Sequence, residues 1–173
     1  MEATELKVLF RQLREGDQDA FIGIYHTLKQ PVYTICWRIV QVRETAEDLT
    51  QDVFLKLYVS PPNDAVKNER AWVFQMAHNA SIDALRKRRE FPLNDRNCSA
   101  DQTDLNTLEQ NLDLEAAISM LPDEHRQVLT LHLNAELSFQ QIGQIMGLSL
   151  SAVYRIYRKA IKLLQQLLNG GDV

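Results

Sequence analysis

The sequence predicts an all-α protein: two small helical domains joined by a flexible linker, the second carrying a helix-turn-helix. Three observations predict it. Apolar residues recur at helical spacing through most of the chain, and no stretch alternates as a half-buried strand would. A polar, acidic run over residues 91–111 interrupts that periodicity. Residues 138–164 read as a short helix, a glycine turn and a longer basic helix.

That last stretch organises the rest. Ser138 and Gln141 have the S-x-x-Q spacing of a capping box. Ile142, Ile145 and Met146 then share one face. Gly147 stands where a glycine closes a helix. Ser149 or Ser151 starts the second helix, with Val153, Tyr157, Ala160 and Leu164 facing inward. Arg155, Arg158, Lys159 and Lys162 project from its other faces, and no acid occurs between Glu136 and Asp172. This is the pattern of a helix-turn-helix reader of duplex DNA. Ile156 and Ile161 widen the apolar surface of the second helix.

The chain has 173 residues, 45% of them apolar, enough for two small cores. Its net charge of −4 is unlike the basic balance of a protein that grips DNA alone, so isolated DNA affinity should be weak. The average hides segregation. Bases gather at Arg86, Lys87, Arg88 and Arg89 and again from Arg155 onward. Acids gather at Glu44, Glu47, Asp48 and Asp52 and over residues 101–124. Screening cuts off surface fields beyond about 8–10 Å, so the local patches matter more than the total. Cys36 and Cys98 have no metal-ligand spacing and read as reduced thiols. The four histidines form no metal signature either. No cofactor or metal is expected. With no apolar run of membrane-spanning length and no secretory leader pattern, the expected compartment is the cytoplasm.

Taken in order, residues 4–14 form a first helix with Leu6, Leu9, Phe10 and Leu13 on its apolar side, ended by Gly16. Asp17 or Asp19 starts a second, and Pro31 suits the first turn of a third that carries Val32, Ile35, Cys36, Ile39 and Val40. Thr45 caps the next helix, whose buried stripe is Ala46, Leu49, Val53, Phe54 and Leu57. That leaves Glu47, Asp48, Gln51, Asp52 and Leu55 on its outer surface. These are dipole partners of the helix start or a docking face for a basic partner. Pro61 and Pro62 mark a loop, and Asn68 caps a long helix anchored by Trp72, Met76, Ala77, Ala80, Ala84 and Leu85. Its outer side offers Asn79, Ser81 and Asp83 before the Arg86, Lys87 and Arg88 run. Small polar groups, aromatics and cations together suit unpaired DNA. Pro122 opens a helix that supports the reader.

Three segments in order carry a resemblance: AEDLTQDVFLKLY, RAWVFQMAHNASIDALRKRR and LPDEHRQVLTLHLNAELSFQQIGQIMGLSLSAV. Together they resemble the extracytoplasmic-function (group 4) sigma factors of the sigma-70 family over nearly the whole chain. The resemblance implies an N-terminal sigma domain over residues 1–90 that docks on core RNA polymerase and melts the −10 element. It implies a linker over 91–111, and a C-terminal sigma domain over 112–173 that reads the −35 element in duplex form.

Residue by residue, the resemblance implies that Glu47, Asp48, Gln51, Asp52 and Leu55 bind the paired helices of the polymerase β′ subunit. Asp48, Gln51 and Asp52 match the D-x-x-Q-[ED] part of that motif. It implies that Asn79, Ser81, Asp83, Arg86, Lys87 and Arg88 meet the −10 strand. It also implies that Ser149, Ser151, Ala152, Tyr154, Arg155, Arg158 and Lys159 form the −35 surface. The chain departs from the family there, because many members carry Lys where Tyr154 stands and Arg where Ile156 stands, and the resemblance implies a second use for the enlarged apolar surface, binding an inhibitory partner. The partners implied are core polymerase, promoter DNA and an anti-sigma factor, including one bound to the membrane. No small-molecule substrate is implied. No Gly-rich phosphate loop or nucleophile constellation points to an enzyme. The alternative is a stand-alone helix-turn-helix regulator, which would have no use for the acidic helix or the RAW…DALRKRR block.

Overall fold

A computed structural model describes residues 3–90 and 109–169, and every regular element among them is a helix. In chain order these are α1 (Ala3–Arg14), α2 (Gln18–Val40), α3 (Arg43–Val59), α4 (Glu69–Glu90), α5 (Glu109–Ser119), α6 (Asp123–Leu133), α7 (Phe139–Met146) and α8 (Leu150–Asn169). The all-α expectation holds, helix-turn-helix included.

The start of α2 follows from Asp17, whose Oδ1 accepts from the amides of Asp19 and Ala20. Two helices were expected between residues 17 and 40, but one continuous helix forms, with Pro31 inside it. A proline in a helix interior costs roughly 3 kcal/mol. Ile24, Leu28, Val32, Ile35 and Ile39 are buried on both sides of Pro31, and breaking the helix would expose part of that stripe. The chain leaves α2 through Gln41, which adopts a left-handed φ of 53° and returns its amide to the Trp37 carbonyl.

The next boundary also differs from expectation. Thr45 lies in the first turn of α3, which begins at Arg43 behind Val42 with no side-chain cap. Arg43 pairs with Glu47 one turn on, at 3.0 Å. Asn68 does cap α4, its Oδ1 accepting from the Ala71 amide at 2.9 Å. Arg14 ties the α3–α4 loop to α1 through the Pro62 carbonyl and the Asp64 carboxylate. The expected linker falls mostly outside the described residues, as does Cys98, and α5 begins at Glu109, three residues before the expected domain start at 112.

Helix α2 is the hub, packing against α1, α3, α4 and α6. Its buried residues share one hydrophobic cluster with Val128 and Leu131 of α6, Ile142 of α7 and Val153 and Ile156 of α8. A second cluster of Ala117, Ile118, Leu121, Leu129 and Leu164 belongs to the C-terminal helices alone. The N- and C-terminal halves therefore meet across a continuous apolar seam.

Candidate functional site

The outward face of α3 is the first surface. Ala46, Thr50, Val53, Phe54 and Leu57 point into the protein, which turns Glu47, Asp48, Gln51, Asp52 and Leu55 to solvent. Leu55 is 62% exposed, and Tyr58 and Val59, three and four residues on, continue its apolar ridge. Tyr58 is held edge-on against Phe21 of α2, with ring centroids 5.0 Å apart. Tyr58 and Val59 did not stand out in the sequence. The signal was present, since neither falls on the buried stripe. Carboxylates beside a small apolar ridge can pair with arginines while burying a modest hydrophobic contact.

The second surface is the end of α4. Asn79 and Asp83 are exposed, as are Arg86, Lys87, Arg88 and Arg89. Asp83 pairs with Arg86 at 3.3 Å, and Arg89 with Asp123 at the start of α6. Ser81 corrects the expectation. It is fully buried, its hydroxyl donating to the Ala77 carbonyl at 2.7 Å beside Cys36, so it packs α4 onto α2 and presents nothing to DNA. Periodicity explains the miss: Ser81 follows Ala77 by one turn on the inner face, and a small hydroxyl satisfied by its own helix can occupy a core position. His78 is buried as well, with its Nε2 3.0 Å from Gln127 Oε1.

The third surface is the helix-turn-helix. Both halves of the capping box form: the Gln141 amide donates to Ser138 Oγ and the Ser138 amide to Gln141 Oε1. Gly147 takes a left-handed φ of 69° and closes α7. Ser149 caps α8, its Oγ accepting from the Ala152 amide at 3.2 Å. Phe139 packs on Tyr157, and the His132 ring lies tilted on Phe139 and edge-on to Tyr157 while its Nδ1 donates to the Leu137 carbonyl. Val153, Ala160 and Leu164 then anchor α8. Ser149, Ser151, Tyr154, Arg155, Arg158 and Lys159 are exposed along it, and Ala152 is half-buried. The Arg158 guanidinium lies 6.0 Å from the Tyr154 ring centroid.

One expectation about α8 is overturned. Ile156 is only 8% exposed and belongs to the main core, while Ile161 packs against the second cluster. The wider apolar face is core, not a free surface for an inhibitor. Among the described residues, no cluster of His, Cys, Asp and Glu is placed to hold a metal ion, and no helix is long and apolar enough to cross a membrane.

Residues 24–91 match the Sigma-70 region 2 family and residues 117–166 match Sigma-70, region 4. The chain is 28% identical to the ECF RNA polymerase sigma factor SigW of Bacillus subtilis, across 94% of this chain and 96% of that one. It is 29% identical to SigM of the same organism, across 86% and 94%. Its fold is similar to that of the sigma factor RpoE from Bartonella quintana, solved with the anti-sigma factor NepR, at a TM-score of 0.71 and 21% identity over 86% of this chain and 96% of that one. It is also similar to CnrH, solved with the cytosolic domain of CnrY, at a TM-score of 0.69 and 21% identity over 98% and 99%. The two matched regions together cover more than half of the chain, and the chain belongs to the sigma-70 family as an extracytoplasmic-function RNA polymerase sigma factor.

Proposed function

We propose that this sigma factor divides its work among the three surfaces. The outer face of α3 docks on the β′ subunit of core polymerase through Glu47, Asp48, Gln51, Asp52 and Leu55. The exposed end of α4 holds the melted −10 strand: Arg86, Lys87 and Arg88 meet phosphates, and Asn79 reads an unpaired base edge. An amide suits that task because it offers donors and an acceptor together. The N-terminal half of α8 enters the major groove at the −35 element, with Ser151, Tyr154 and Arg155 nearest the bases and Arg158 and Lys159 on the backbone.

The observation that carries this reading is the sorting of charge on α3. Asp48 and Asp52 are exposed on a helix whose other face is core. A carboxylate pair so placed is available for a basic partner, and no packing role competes for it. The chemistry of nucleotide addition lies with the polymerase, and the chain works in the cytoplasm. An anti-sigma factor is the expected inhibitor, since the sigma factor RpoE, similar in fold, was solved with the anti-sigma factor NepR. The test is run-off transcription from mapped promoters with cognate core enzyme. Promoter-specific transcripts that depend on this chain support the reading. Tight sequence-specific duplex binding without core, and no transcripts with it, would replace it with a stand-alone regulator.

A further inference from the structure

Helix α8 shows solvent two adjacent rows of side chains. Leu150, Tyr154 and Arg158 follow one another at intervals of four residues, and Ser151, Arg155 and Lys159 do the same one position on. Burial of Val153, Ile156, Ala160 and Leu164 fixes the rotation of the helix, so both rows face outward. The second row is polar throughout. The first opens with two large apolar side chains, Leu150 at 57% exposure and Tyr154 at 50%. A single exposed leucine is ordinary. Two such residues one turn apart, on a face otherwise made of Ser, Arg and Lys, form a patch that packing does not account for.

The patch is held in place before anything binds. The Tyr154 ring stands edge-on to Phe139 of α7, with centroids 5.9 Å apart, and Phe139 is braced in turn by Tyr157 at 5.1 Å. The Arg158 guanidinium adds a cation–π contact to the same ring. A ring already ordered loses less side-chain freedom on binding. Leu150 sits in the first turn of α8, which Ser149 fixes by accepting from the Ala152 amide. The Ser151 hydroxyl has a partner there too, Ser149 Oγ at 3.1 Å. That leaves Leu150 as the exposed side chain at this end of the helix with nothing polar to satisfy.

The surrounding charge says what the patch meets. Arg155, Arg158, Lys159 and Lys162 are exposed around it, and no acid occurs between Glu136 and Asp172. That field suits the phosphates of duplex DNA. In the major groove only thymine presents an apolar group, its C5 methyl; guanine, adenine and cytosine present donors and acceptors. An apolar side chain laid over those polar edges would displace water without replacing its hydrogen bonds. Laid on a methyl, it buries apolar surface on both partners. Four residues of helix rise about 6 Å, against about 3.4 Å per base-pair step. Leu150 and Tyr154 therefore address base pairs within two steps of each other.

We propose that Leu150 and Tyr154 select thymine at two positions of the −35 element, each by contact with a C5 methyl group. The proposal rests on the promoter reading above and deepens it. Leu150 joins the reading surface, and Tyr154 serves there as an apolar contact and not as a hydrogen-bonding one.

The test uses the full chain bound to cognate core polymerase, on a promoter mapped by its transcription start. Each thymine of the −35 element is replaced in turn by uracil, which pairs identically and lacks only the methyl. Wild-type holoenzyme should bind about three- to fivefold more weakly when either of two thymines is replaced, the effect of burying one methyl-sized apolar group. Leu150→Ala should make binding indifferent to the methyl at one of these positions, and Tyr154→Ala at the other. Tyr154→Phe should keep the preference, because it keeps the ring. The thymine-to-uracil ratio is taken within one protein, so a partly misfolded variant leaves it unchanged. Equal binding of thymine and uracil by wild type at every −35 position overturns the proposal. So does an element without two such thymines, or a full ratio retained by both alanine variants. In each of these cases protection of the −35 element by the holoenzyme upholds the promoter reading. A chain that directs no transcription with core and protects no −35 sequence refutes the promoter reading and this proposal together.

Discussion

A Cβ placed on Gly143 would lie 2.6 Å from the backbone carbonyl oxygen of Leu148. The same two residues are joined by a hydrogen bond from the Leu148 amide to the Gly143 carbonyl at 2.8 Å. The turn between α7 and α8 therefore crosses directly over α7 at this glycine. The atom in the way is backbone and cannot rotate aside. Gly143→Ala should cost about 1–3 kcal/mol, the usual range for overpacking. Urea titration would measure the loss. Since the strain falls on the turn that aims α8, −35 binding should weaken more than core capture. A stability equal to wild type would show that the turn can shift without cost.

Asp48 and Asp52 are exposed, and no hydrogen bond or ion pair within the protein is seen for either among the described contacts. Asp48→Arg or Asp52→Arg should leave stability within about 0.5 kcal/mol, as surface substitutions usually do. Capture of core polymerase should fall by about tenfold or more, because a cation would then face the arginines expected on the partner. A pull-down with unchanged recovery would remove α3 from the docking surface.

Arg155 is exposed in the second turn of α8, where a recognition helix reaches base edges. Arg155→Ala should cost about 1–3 kcal/mol of discrimination between the −35 element and its single-base variants if the guanidinium is bidentate to a guanine. Binding to a panel of −35 variants measures this. An equal loss on every sequence would make Arg155 a phosphate contact, with a shallower salt dependence as its signature.

The sequence made the helices legible wherever a cap and a periodic stripe agreed, as at Asp17, Asn68, Ser138 and Ser149. It misled where one local rule was outweighed by burial. Pro31 signals a helix start, yet the apolar residues on both sides of it keep α2 whole. Ser81 is a polar residue in a polar neighbourhood, yet it faces Cys36 in the core. Ile156 sits among basic residues and reads as part of a free apolar face, yet it is internal. The seam was not legible at all. Only the fold brings the Arg126 side chain to the Arg38 carbonyl, 88 positions away, in one hydrogen bond.

Cys36 gives a prediction that depends on pH. It is fully buried where α2 meets α3 and α4, and burial pushes its thiol above the ordinary value of 9.0, with the Ser81 and Thr50 hydroxyls acting against that rise. In the folded chain the thiol therefore stays protonated at pH values where the unfolded chain has already ionised. The stability this contributes is fully present below pH 9.0 and is lost as pH climbs from there through the folded-state value. Tyr33 is also raised, by burial first and then by Glu47, so wild type alone would mix two titrations. The difference between wild type and Cys36→Ala isolates the thiol, because Tyr33 is common to both. Urea midpoints should show that difference constant up to about pH 8 and then shrinking by at most about 1.4 kcal/mol per pH unit, the limit for one proton. A difference that stays flat to pH 10.5 or so would mean that the thiol ionises as easily folded as unfolded, and that the Ser81 and Thr50 hydroxyls offset its burial.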